Sequence, residues 1–254
     1  MRHVAAILGR ELAAYFLGPM AYVMLVVFQL IAALNFWELL EALSQTQLEF
    51  SSIRDPMNTY LSASTPFWFS MLVAVPLLTM RLIAEERKTG TIETLLTLPI
   101  TEVEIVVAKW LAAVVMYLVL LLPFLIYLPV LRVQARFEFD LGPLVSLLAG
   151  LLSLGMMFTA IGLLFSALTR NQIVAAIWTF VVLFMIVVLT PLVYFYAARQ
   201  QADWAEGARH LAVLYQVQAL GLGQLDLRVI VMHLSISAVA LYAAVKVLEA
   251  KRQR

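Results

Sequence analysis

Along the chain, long charge-free runs alternate with short charged ones. Residues 12–37 contain no Asp, Glu, Lys or Arg, and neither do 56–80, 110–131, 141–169, 171–198 and 229–245. These runs are 26, 25, 22, 29, 28 and 17 residues long. Roughly 20 apolar residues in a helix cross a bilayer. A charge at the centre of such a helix costs at least about 2.5–3.5 kcal/mol on insertion scales, so the gaps carry information. The pattern predicts six transmembrane helices, placed near 20–37, 65–84, 107–130, 144–168, 173–197 and 229–247. A seventh gap, 210–225, contains His210, three Gln and two Gly. It reads as a half-buried or interfacial piece of an extracytoplasmic segment, 198–226, that stays out of the bilayer centre. The fold class is therefore an all-α membrane protein, a single transmembrane domain over 1–254.

Several helix starts are written locally. Ser64-Thr65-Pro66 offers a cap followed by Pro in the first turn. Thr101-x-x-Glu104 is a capping box. Asp226 can cap the sixth span. Before the first span, Val4, Ile7, Leu8, Leu12, Tyr15 and Phe16 recur on one helical face, and Gly18-Pro19 ends the run. Residues 1–18 are thus expected to form an amphipathic helix lying in the cytoplasmic interface. The first apolar run is too long for a cleavable signal, and no clear small-x-small site follows it.

Composition agrees with this picture. The chain is 63% hydrophobic and 13% charged, where soluble domains average about 25% charged. The net charge of +1, with no long basic run, gives no reason to expect nucleic acid as a partner; the lipid bilayer is the expected surroundings. Cys is absent, which removes disulfides and thiolate metal sites, and no metal site is expected. Lys and Arg are more numerous on the side that holds the N-terminus than on the other, eleven against six among those assigned to loops and ends. That bias places both termini in the cytoplasm.

Candidate chemistry is sparse. There is no G-x-x-x-x-G-K-[ST] phosphate loop, no H-E-x-x-H, and no carboxylate pair inside a span. The chain is read as non-catalytic. His233 is the one ionisable side chain well inside a span. It is either a proton relay or, as preferred, a neutral imidazole bonded to a neighbouring helix. Gln29 and Asn35 could line a transport path or simply bond between helices. Gly155, Thr159, Gly162 and Ser166 share a face of the fourth span, where small residues let helices approach. Pro76, Pro123 and Pro191 lie inside spans and mark hinges or static kinks.

The most informative segment is 85–99, between spans two and three. Glu85-Glu86-Arg87-Lys88 is dense in charge for this chain, Gly90-Thr91 can open a short helix, and Pro99 stops it. Ile92, Leu95 and Leu96 then share an apolar face at i, i+3 and i+4. Such a face needs a cover, either lipid headgroups or a groove on a partner. The run from Glu85 to Pro99 resembles the signature E-E-x-x-x-G-T-x-E-x-L-L-x-x-P of ABC-2 type transporter permeases, and is most similar to the gliding-motility-associated (GldF-like) subgroup. The resemblance extends to Arg10-Glu11-Leu12, Tyr15-Phe16, Pro19-x-Ala21-Tyr22, Pro76 to Arg81, Leu168 to Gln172, Leu225-Asp226 and Val247-Leu248-Glu249.

The resemblance implies a permease subunit of an ATP-driven exporter in a bacterial cytoplasmic membrane. It implies two membrane subunits working on two separate ABC ATPase subunits, which bind ATP and Mg; no cofactor is implied in this chain. The second membrane subunit would be another copy or a relative with a large extracytoplasmic domain. The coupling element would be Glu85, Glu86, Arg87, Gly90, Thr91 and Glu93 with the apolar turn Ile92, Leu95 and Leu96. The rival readings are a complex doing mechanical or assembly work, and an ion-coupled secondary transporter. The latter calls for acidic residues well inside the spans, and the sequence has none there.

Overall fold

The computed structural model describes residues 2–45, 64–92, 100–134 and 141–252. Every regular element among them is helical. In chain order they are α1 (Arg2–Leu17), α2 (Pro19–Gln45), α3 (Thr65–Thr79), α4 (Ala84–Thr89), α5 (Glu102–Gln134) and α6 (Leu141–Leu168). Then come α7 (Gln172–Phe184), a π-helical turn (Met185–Leu189), α8 (Thr190–Arg199), α9 (Ala205–Leu211), α10 (Val213–Gly221) and α11 (Leu227–Arg252). Six stretches are long and apolar enough to cross a membrane: α2, α3 with α4, α5, α6, the α7–α8 rod and α11.

These six are not equivalent. The apolar windows of α3, α5 and α6 are 72, 67 and 67% buried, against 28% for α2, 22% for the α7–α8 rod and 33% for α11. Three helices therefore form the centre, and three present Leu, Val, Ile and aromatic side chains outward. Water would make that outward surface untenable, whereas hydrocarbon is its natural solvent. Phe67 and Phe124 meet edge to face at 5.0 Å in the middle of the core, and Phe28 of α2 joins Phe124 at 6.2 Å.

The central approach depends on α6. A Cβ on Gly155 would lie 2.1 Å from Cε1 of Tyr117, and one on Gly162 would lie 2.1 Å from Oγ1 of Thr79. The Tyr117 ring thus lies across α6 at Gly155, its hydroxyl donating to Leu151 O at 3.0 Å. Thr159 is buried and turns its hydroxyl back onto Gly155 O at 2.7 Å. Ser166, at the end of the same stripe, has a different task, described below.

At the opposite end of α6, α9 and α10 fold against the bundle as a short hairpin. Leu220 occupies the space over Gly150, and Ser146 Oγ donates to Leu220 O at 2.5 Å. The nine residues of α10 extend only about 14 Å at 1.5 Å per residue, too short to cross a bilayer. Gln216, Val217 and Leu220 are nonetheless buried, so 210–225 dips into the fold rather than lying flat. From Ser146 to Ser166, α6 rises roughly 30 Å, about one hydrocarbon thickness.

His233 of α11 is fully buried and ties this hairpin down. Its Nε2 lies 3.1 Å from Gln216 Oε1 and its Nδ1 lies 3.0 Å from Ser153 Oγ. The Gln216 amide nitrogen donates to His210 O, so its carbonyl oxygen faces the ring. An amide oxygen only accepts, so Nε2 carries a proton, while the Ser153 hydroxyl stands between Nδ1 and Gly150 O, the latter at 2.9 Å. The bonded imidazole holds three helices together. His233→Leu should strip the Gln216 carbonyl oxygen of its ring partner, while Ser153 keeps Gly150 O. A loss of about 1–3 kcal/mol is expected for a buried polar group left unsatisfied. A thermal unfolding midpoint in detergent measures it.

Two expectations shift. Span three starts at Glu102 rather than near 107, because Thr101 and Glu104 close the capping box: Glu104 N donates to Thr101 Oγ1 at 3.3 Å, and Thr101 N donates to Glu104 Oε2 at 3.1 Å. Lys109 is thereby carried two turns into a helix. The apolar stripe of α1 is covered by protein as well: Ile7 packs on Ile105 and Ala108, and Tyr15 joins the main core. Gln29 and Asn35 each bond between helices, one of the two readings given above. Gln29 Nε2 donates to the Tyr127 hydroxyl at 2.6 Å, and Asn35 Oδ1 accepts from Ser64 Oγ, the residue that also caps α3.

Candidate functional site at the α4 junction

The site begins with a failure of helix α3 to continue. Pro76 O accepts from Met80 N at 2.9 Å, and the regular helix ends at Thr79. Residues 80–83 form a turn, with Leu82 N donating to Thr79 O at 3.2 Å. Two amides that a continuous helix would satisfy, Ile83 N and Ala84 N, both donate to Ser166 Oγ at 3.0 Å. The same hydroxyl donates to Met80 O at 3.0 Å. Ser166 thus fills three backbone vacancies at the break, and the end of α6 fixes where α4 starts.

Arg87 repeats the arrangement one turn on. Its guanidinium donates to Ala167 O and, at 3.3 Å, to Thr169 O. These carbonyls stand where α6 ends, at the negative end of the helix dipole, so a cation is favoured there. Asn171 then starts α7, its side chain accepting from Ile173 N at 2.9 Å. Gly90 closes α4 with φ +78°, the left-handed geometry that costs a β-substituted residue strain. Thr91 Oγ1 lies 2.9 Å from Thr89 Oγ1.

On its other side α4 meets an ionic cluster. Lys109 Nζ, on a side chain only 1% exposed, lies 2.8 Å from Glu11 Oε1 and 3.0 Å from Glu86 Oε1. Arg10 bridges the same two carboxylates at 2.9 and 2.8 Å. Two cations and two carboxylates from α1, α4 and α5 therefore balance in a partly dry site. Burial opposes ionisation of Glu11. The Lys109 charge, and the bonds from Lys109 and Arg10, outweigh it and hold the carboxyl below its ordinary value of 4.5. A third tie runs through Tyr15, which donates to Leu78 O at 2.6 Å beneath the Arg81 guanidinium, 5.3 Å above the ring. Arg81 also donates to Ala14 O at 3.1 Å.

The sequence-predicted residues fall into three groups. Glu86 and Arg87 are anchored, while Glu85, Lys88, Thr89 and Gly90 are exposed. Ile92 packs partly against the chain's own core, so that position of the expected apolar face is at least half committed internally. Glu93, Leu95 and Leu96 lie outside the described residues. Sequence reasoning missed Lys109 and Glu11. Their only signal was a lone charge in a predicted span start and a lone acid in an amphipathic helix.

The motifs scattered through the first 172 residues thus converge. Arg10 reaches Glu86, Tyr15 reaches Leu78 and Arg81, and Arg87 reaches Thr169, so these segments meet pairwise around α4. A family model described as ABC-2 family transporter protein matches residues 5–250, nearly the whole chain. The chain belongs to that family. It is a membrane-spanning permease component of an ABC transporter, a multi-pass membrane protein. No curated protein matches the sequence. Within the family assignment, the α4 junction is the place where an exposed charged element is fastened to three of the bundle's helices.

Proposed function

We propose that this ABC-2 permease is the non-catalytic membrane subunit of an ATP-driven exporter, and that α4 with the segment after it is its coupling element. The observation that carries this reading is the anchoring of α4. A force applied to its exposed face, Glu85, Lys88, Thr89 and Gly90, reaches α6 through Arg87 and Ser166. It reaches α1 and α5 through Glu86. An element with so little freedom transmits displacement instead of absorbing it. Separate ABC ATPase subunits binding ATP and Mg would supply the force. The second membrane subunit would be another copy or a related chain, and the apolar outer faces of α2, α7 and α8 leave room for one.

The proposed location is a bacterial cytoplasmic membrane, with both termini and α4 on the cytoplasmic side, as the Lys and Arg bias supports. Cysteines placed near either terminus of this Cys-free chain should resist an impermeant thiol reagent in intact cells. Labelling of the C-terminal tail from outside would reject the topology.

Coupling is tested by reconstituting the permease with the ATPase that copurifies with it. Gly90→Val forces a β-branched residue into a left-handed conformation, at a cost of roughly 1–2 kcal/mol. A Cβ there meets no atom within 4 Å, so the bundle itself should stay intact. Membrane insertion should be unchanged, while ATPase binding or transport-linked hydrolysis falls. Normal values for both would remove α4 from the coupling path.

A further inference from the structure

The end of the bundle opposite α4 carries a feature that the coupling role does not use. A cavity of about 260 Å³ opens between α9, α10 and the start of α11. Its polar wall is formed by Glu206, Arg209, His210, Tyr215, Gln224 and Asp226. Its floor is Gln216, whose amide bonds to His233 and to His210 O. The floor is therefore polar and held from two sides, and the wall groups face the cavity. Among the described residues, Glu206 and Arg209 form no ion pair, although three positions apart on one helix. Asp226 spends one oxygen on Arg228 N at 2.9 Å, as the cap of α11, and keeps the other.

A second depression adjoins it. The turn 222–226 is shared: Gln224 and Asp226 face the polar cavity, while Leu222, Gly223 and Leu225 line an apolar hollow of about 570 Å³ with Pro143 and Val145 of α6. Both lie where a span begins or ends, the level at which a bilayer-crossing helix meets headgroups. The polar cavity falls below the 300–1,000 Å³ typical of sites for whole drug-sized ligands. It suits a headgroup, with the hollow taking part of a chain.

We propose that this pair of cavities binds a zwitterionic aminophospholipid, its primary ammonium between Glu206 and Asp226 and its phosphate on Arg209 and His210. Two carboxylates beside a cationic guanidinium require a ligand carrying both signs. A primary ammonium donates hydrogen bonds to carboxylates, and a trimethylammonium has none to give. A glycerol headgroup offers no cation. The apolar hollow favours a lipid over the free headgroup. The site lies in the extracytoplasmic leaflet if the proposed orientation holds, but binding itself is independent of that reading and of any ATPase.

The test is native mass spectrometry of the full chain released from nanodiscs of phosphatidylethanolamine, phosphatidylglycerol or phosphatidylcholine. Phosphatidylethanolamine should be retained roughly tenfold better than the other two, the equivalent of about 1.4 kcal/mol. Arg209→Ala and Glu206→Gln, both at exposed positions, should each reduce the preference towards parity without lowering the unfolding midpoint. Equal retention of the three lipids would overturn the proposal. So would a preference that survives the double variant. Protection by soluble phosphoethanolamine without retention of its lipid would assign the cavity to a free solute and equally overturn it.

Discussion

Lys109→Met is expected to destabilise the protein by on the order of 3–5 kcal/mol, the range for breaking a buried ion pair from one side. The reason is the charge balance at α4. With Lys109 present, two cations face two carboxylates; without it, Glu11 and Glu86 share Arg10 alone, in a place where their side chains are only 14 and 16% exposed. The lost Coulomb attraction matters less than the desolvated charge left behind. A triple variant, Lys109→Met with Glu11→Gln and Glu86→Gln, removes charge from both sides and should recover most of the loss, because neutral replacement of a buried cluster is often tolerated. Unfolding midpoints of the single and triple variants in detergent form the needed cycle. A single variant within about 0.5 kcal/mol of wild type, the range of ordinary surface substitutions, would show that the cluster is solvated.

The same cluster sets an acid dependence. Glu11 is held below 4.5 in the folded protein. A depressed carboxyl contributes stability that is fully present above its unfolded value and is lost as pH falls through the folded one. Wild type should therefore weaken below about pH 4.5, and the triple variant should show less of that slope.

The second large effect is expected at Gly155. Gly155→Leu places its first added atom 2.1 to 2.6 Å from three atoms of the Tyr117 ring. That ring is 1% exposed and its hydroxyl is bonded to α6 itself, so it has nowhere to go. Overpacking costs typically about 1–3 kcal/mol and occasionally more. Here the upper end is expected, because α5 and α6 must separate. Gly162→Leu should follow with a similar but smaller loss, since Thr79 is a smaller obstacle than a phenol. Gly9→Leu is the control, with no atom within 4 Å of its Cβ position. Monodispersity and unfolding midpoint in detergent rank the three. If Gly155→Leu and Gly9→Leu behave alike, the α5–α6 contact is not close.

Much of this architecture is legible along the chain, because crossing a bilayer is a local demand. Each span must satisfy its own backbone and keep charge out over about 20 residues, and that is written in consecutive positions. The six helices, the Thr101–Glu104 and Asp226 starts and the exclusion of 210–225 from spanning follow from such local rules. The stripe of Gly155, Thr159, Gly162 and Ser166 is visible as a helical face, though not what it meets.

Tertiary structure decided the rest, for a physical reason. Lys109, Glu11 and Glu86 look like an edge charge, an interfacial acid and a loop acid, since an ion pair across 98 residues leaves no periodic trace. Ser166 reads as one more small residue, yet its hydroxyl fills the backbone gap of another helix 83 residues away. His233 is ambiguous until Gln216 places a proton on its Nε2. Hydropathy determines that this chain lives in a membrane and how often it can cross. Which charges may be buried there, and what the α4 element can pull on, is settled only when distant helices bring their unpaired groups together.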